Sequence, residues 1–151
     1  MGNYREHALE GASAVDLVVA LYDGMIRFLY AAIDAVERGD AEGRRAEVKR
    51  ALDIIIHLQA RLRMDVGGRP AQALSEFYAS IFAQILQGSQ SASRAKFEHA
   101  IDCVRNVRDA WRQVARDAGR DADGLAAVTP VLRAAGEHAE TASKPSMGWT
   151  V

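Results

Sequence analysis

Few side chains in this chain of 151 residues could do chemistry: four histidines, one cysteine and scattered carboxylates. Glu98-His99 and Glu137-His138 are adjacent pairs. A carboxylate-bridged di-metal site in a helical bundle needs Glu-x-x-His spacing on two helices, so neither pair makes a half-site. Asp53 and His57 stand four apart on the polar side of their segment, a spacing that supports a helix locally, and no second half-site accompanies them. His7 stands alone near the N-terminus. Cys103 lies beside an apolar stripe without an activating neighbour and reads as a buried, inert thiol; a lone cysteine builds neither an internal disulfide nor a cysteine metal site. No Gly-x-Ser-x-Gly elbow occurs, and Gly67-Gly68 is followed by Arg69-Pro70 rather than by a phosphate-binding pattern. The expectation is therefore no catalytic, cofactor-binding or metal-binding residue, and no enzyme.

Composition excludes several partner classes. Formal net charge is −1 with 26% charged residues, so there is no basic footprint for nucleic acid. At 49% hydrophobic residues the chain can bury a core without covalent staples. No apolar run reaches the ~18 residues of a membrane span; Asp23 and Arg27 interrupt the most apolar stretch. The N-terminus has no apolar signal core, so a cytoplasmic protein without membrane insertion is expected.

The elements that must position any site are helices. Residues 1–12 read as a polar arm carrying Tyr4 and Leu9, followed by Ser13 as the cap of a first helix that runs to about Arg38. Gly39 closes it and Asp40 caps the second, from Ala41 to about Met64. Val48, Ala51, Leu52, Ile55, Gln59 and Leu62 share one stripe of that helix. Gly67-Gly68 breaks the chain, and Pro70 opens a third helix to about Gln87. A fourth runs from about Ala92 to Ala118, with Phe97, Ile101, Val104, Val107 and Trp111 inward. Long helices and short loops imply an all-α, antiparallel up-down four-helix bundle over residues 13–118. Residues 119–151 form a C-terminal extension, in which Thr129-Pro130 opens a short fifth helix to about Glu140 and Trp149 is a conspicuous late aromatic.

The first helix carries more apolar surface than one buried stripe needs. Asp16, Ala20, Asp23, Arg27, Tyr30, Asp34 and Arg38 fall in one arc of about 100°, and large hydrophobes cover nearly all the rest. The expected division gives Leu17, Leu21, Met25, Phe28 and Ala32 to the core, and opens Val18, Tyr22, Ile26 and Ile33 onto a groove. Tyr22 is expected to be partly exposed because its hydroxyl wants water or a partner. Ile54-Ile55-Ile56 and the aromatics Phe77, Tyr78 and Phe82 add further surplus, more directions than one core can serve. Grooves between helices that accept an amphipathic helix of another chain are one solution. A homodimer is another, and cover by the arm and the fifth helix a third.

The motif Ala12-Ser13, Asp16, Leu17-Val18-Val19, Leu21-Tyr22-Asp23-Gly24 and Ile26-Arg27-Phe28-Leu29 resembles the signature of the flagellar secretion chaperone FliS family. Gly39-Asp40, Arg50-Ala51 with Ile54-Ile55 and Leu58, Gly67-Gly68 with Ala71, Leu74 and Tyr78, and Trp111 follow in register, and Tyr4 stands where that family's arm carries a tyrosine. Ala14 departs from the family's usual proline, and the sequence after Arg120 is longer than expected. The resemblance implies a cytoplasmic export chaperone that binds the disordered C-terminal segment of flagellin, blocks premature polymerisation and hands its cargo to the flagellar export gate. It implies a partner groove drawn from the first three helices: Tyr22, Ile26, Ile54, Leu58, Leu62, Tyr78, Ile81, Phe82 and Ile85. It also implies an arm, with Tyr4 and Leu9, that covers part of the groove when the partner is absent. The alternative is a homodimeric helical-bundle adaptor without a flagellin role.

Overall fold

The computed structural model describes residues 2–62 and 64–117, with side chains described for residues 14–62 and 67–117. Four helices follow one another: α1 (Gly2–Glu37), α2 (Ala41–Ala60), α3 (Met64–Gln90) and α4 (Arg94–Arg116). Each packs against its neighbour in sequence, and α4 closes the ring against α1. This is the up-down four-helix bundle that the loop lengths imply, with no strand among the described residues.

The turns are set by local chemistry. Gly39 takes a left-handed φ of 68° after α1. The Asp40 amide then donates to the Ala35 carbonyl at 2.8 Å and the Gly39 amide to the Val36 carbonyl at 3.1 Å, a Schellman closure. The Asp40 carboxylate in turn accepts from the Gly43 amide at 2.8 Å, capping α2. The same closure ends α3: the Ser93 amide donates to the Gly88 carbonyl at 2.9 Å, and Ala92 holds a φ of 48° that glycine would take at less cost. Ser93 Oγ caps α4 by accepting from the Lys96 amide at 3.2 Å. Within α3, Gly68 (φ 54°, ψ −137°) kinks the chain, so the straight part of that helix begins at Pro70.

Some boundaries differ from expectation. The first helix begins at Gly2, so Ser13 lies within it rather than at its cap. Ala14 explains this: a proline there would remove a backbone donor and favour a helix start, whereas alanine lets the ladder continue. α2 stops at Ala60 rather than near Met64, and α4 starts at Arg94. The side chains of Tyr4 and Leu9, the fifth helix and Trp149 lie outside the described residues.

The core draws on all four helices, including Met25, Leu29, Ile55, Leu58, Leu74, Phe77, Ile81, Ile85, Phe97, Val104 and Val107. The buried arc of α1 is rotated from the expected one. Tyr22, Ile26 and Ile33 are buried, whereas Leu17 is 41% exposed and Leu21 and Phe28 are half-buried. Tyr22 turns inward because its hydroxyl is satisfied there. It shares a 2.7 Å hydrogen bond with the Tyr78 hydroxyl and accepts from Trp111 Nε1 at 3.4 Å. Leu21 and Phe28 instead lie on the flank that meets α2, where Gly24 lies under Ile54 and the Arg50 guanidinium sits 5.9 Å from the Phe28 ring centre. Gln59, expected on the core stripe, is exposed.

Candidate functional site

The reactive side chains are dispersed. Cys103 is buried; its sulfur lies 3.7 Å from His99 Nε2, and burial pushes the thiol above its ordinary range, which disfavours the nucleophilic thiolate. Asp53 pairs with Lys49 at 3.8 Å and His57 with Arg61 at 3.4 Å, so the two do not work together. Among the described residues no group of three potential metal ligands converges.

An apolar groove lies between α2 and α3. It encloses ≈ 560 Å³ and is lined by Ile55, Ile56, Gln59, Ala60, Ser75, Tyr78, Ala79 and Phe82. On α2 the flank beside the core stripe presents Ile56 and Gln59. On α3 the spacing Ser75, Ala79, Phe82 and then Leu86 forms one line along the helix. Ile56 is 55% exposed and Leu86 41%, large apolar areas for a bundle that could have turned them inward. Among the described residues the polar crossing here is one hydrogen bond, from Gln59 Nε2 to Ser75 Oγ at 2.7 Å. Beneath the groove Tyr78 is fixed edge-on to Tyr22, with ring centres 6.2 Å apart. Burial raises the Tyr78 hydroxyl to about 12, partly offset by its bond to Tyr22. Burial, followed by the neighbouring Tyr78, also lifts Tyr22 well above its ordinary value. Both hydroxyls therefore stay neutral, and the floor is uncharged.

The nine residues expected to form one groove separate into three groups. Tyr22, Ile26, Leu58, Tyr78, Ile81 and Ile85 are buried, and of these Tyr78 alone also lines the groove. Phe82 lines it half-buried. Ile54 faces the other flank of α2, against Gly24 of α1, and Leu62 is half-buried at the end of that helix. Sequence reasoning missed Ile56, Gln59, Ala60, Ser75 and Ala79. A signal existed: relative to Ile55, the positions of Gln59 and Ile56 fall ~40° and ~100° to one side, while Ile54 falls ~100° to the other. Only knowing which side faces α3 distinguishes them.

Asp23 and Arg27 lie away from the groove. Asp23 accepts from Arg108 at 2.9 Å and Arg112 at 3.4 Å on α4, away from the α2–α3 side, and Arg27 is exposed to solvent.

Comparison with known proteins gives one consistent family. Residues 1–118 match the family described as flagellar protein FliS. The chain is 30% identical over 106 residues to the flagellar secretion chaperone FliS of Vibrio cholerae, covering 70% of this chain and 78% of the relative. It is 30% identical over 110 residues to the protein of the same name from Salmonella typhimurium, covering 72% and 82%. For that of Bacillus subtilis, identity is 22% over 121 residues, covering 80% and 90%.

Proposed function

The chain belongs to the flagellar protein FliS family, and from that premise we propose that it is an export chaperone whose α2–α3 groove seats the C-terminal segment of flagellin. The family's named members are secretion chaperones rather than enzymes. The observation that carries the reading is the apolar line of exposed Ile56 and Ala79 with half-buried Phe82 over an uncharged floor: it suits the apolar stripe of an amphipathic helix. A segment that is disordered alone and helical on the chaperone loses chain entropy on binding, yet gains a large wrapped surface. Covering that segment blocks the subunit contacts that build a filament. The complex then passes from the cytoplasm to the flagellar export gate. No described helix is long and apolar enough to cross a membrane.

Ile54, Leu21 and Phe28 on the α1–α2 flank extend the partner surface. Residues 2–13 continue α1, so cover of this surface by the arm with Tyr4 and Leu9 when flagellin is absent requires the helix to bend, and Gly11, a weak helix former, is the place for it. Size-exclusion chromatography with light scattering, with and without a synthetic flagellin C-terminal segment, tests the reading. A monomer that gains the mass of one segment supports it. A dimer that ignores the segment supports the homodimeric adaptor instead.

A further inference from the structure

We infer that Tyr22, fully buried and no part of the groove lining, keeps the groove open: its hydroxyl holds Tyr78 down in the floor, and without that bond the Tyr78 ring lifts into the space a partner takes. The inference rests on the groove reading above and names a positioning residue for it.

Position comes first. Three groove-lining side chains end in a polar atom: Gln59, Ser75 and Tyr78. Gln59 and Ser75 bond each other on the exposed side. Tyr78 instead sends its hydroxyl inward to Tyr22, and the bond is buried. On α3, Tyr78 falls ~60° from Ile81 of the core and ~40° from Phe82 of the groove wall. Its ring therefore stands on the border between core and groove. The Tyr22 hydroxyl decides which side its far end takes.

The two hydroxyls are not equivalent. Tyr22 also accepts from Trp111 Nε1 at 3.4 Å, so it keeps a partner when the Tyr78 hydroxyl is removed. Tyr78 has Tyr22 alone among the described residues. Removing the Tyr22 hydroxyl thus strands that of Tyr78 in the core. A swing of ~30° from a rotamer well costs less than leaving a buried hydroxyl unpaired. The swing carries the hydroxyl toward the groove, which is open to water, and the ring still meets Ile56, Ala79 and Phe82 there. A tenfold preference for the lifted ring would leave about one groove in ten open and weaken partner binding about tenfold.

Carbon-13 NMR of ring-labelled tyrosine tests the lift without any partner, on the full chain, Tyr22→Phe, Tyr78→Phe and the double variant Tyr22→Phe/Tyr78→Phe. Burial holds the Tyr78 proton to about pH 12 in the parent chain; in Tyr22→Phe it is expected to leave nearer the ordinary 10.0. The helical circular dichroism is expected to stay unchanged. A Tyr78 that still titrates near 12 in Tyr22→Phe overturns the lift, and a Tyr22→Phe chain that loses its helices overturns a local movement. With a synthetic flagellin C-terminal segment, Tyr22→Phe is expected to bind about tenfold weaker than the full chain. Tyr78→Phe and the double variant, which leave no Tyr78 hydroxyl to strand, are expected to bind like the full chain. Weakening that persists in the double variant, or that is equal in the two single variants, overturns the positioning role. A segment that binds none of the four chains counts against the flagellin reading alone, and the titration still decides the lift.

Discussion

The α1–α4 and α2–α3 seams are built from the same kind of helix, yet one is locked and the other left open. Across the first, Asp23 reaches Arg108 and Arg112, the Tyr30 hydroxyl accepts from Arg105 at 2.6 Å, and Trp111 reaches Tyr22 in the core. Across the second, one Gln59–Ser75 bond spans a groove with Ile56 and Phe82 at its walls. Apolar burial would favour closing both seams, at about 25 cal/mol per Å². The difference is one of polar pairing: side-chain hydrogen bonds tie the first seam together, whereas the second leaves large apolar side chains in solvent, as the proposed partner seat requires.

The largest break in that asymmetry is expected at Trp111. Trp111→Ala removes a buried indole from the locked side and should cost about 3–5 kcal/mol in urea unfolding. Tyr22→Phe keeps the ring but strands the buried Tyr78 hydroxyl, and should cost about 1–2 kcal/mol. The same pair sets an alkaline limit. A folded-state pKa raised from 10.0 to about 12 at Tyr78 means that the unfolded chain releases its proton first. The tyrosine contribution is thus complete below pH 10 and is lost as pH rises through 12, so the urea midpoint should fall across that window and fall less in Tyr78→Phe. Asp23→Ala, which frees the mostly shielded Arg108, should cost about 1 kcal/mol and lose part of that effect at high salt. On the open side, Ile56→Asp should change stability by no more than about 0.5 kcal/mol, since its side chain already meets solvent. A large loss there would mean that Ile56 is core and that the two seams are alike.

The bundle itself was legible because its signals are local: Gly39-Asp40, Gly67-Gly68 with Pro70, and Ser93 each end or begin a helix by their own chemistry. The start of α1 was not, because Ser13 is as good a cap as any and only the absence of a proline at position 14 argues against it. The site was legible as a surplus of apolar surface and illegible in its orientation. Tyr22 and Tyr78 satisfy each other's hydroxyl across 56 positions of sequence, a pairing that a single helix's periodicity cannot reveal, and it rotates α1 so that Leu17 turns out and Ile26 turns in. The same lack of tertiary information made Ile54 and Ile56 interchangeable, although one packs on α1 and the other opens the groove.

Calorimetric titration of a synthetic flagellin C-terminal segment into the full chain, its Ile56→Asp variant and its Asp23→Ala variant tests the central claim most directly. The open seam as partner seat predicts one segment bound per chain, an affinity at least tenfold weaker for Ile56→Asp with an unchanged fold, and little change for Asp23→Ala. Undiminished binding by Ile56→Asp, or a loss confined to Asp23→Ala, would contradict it.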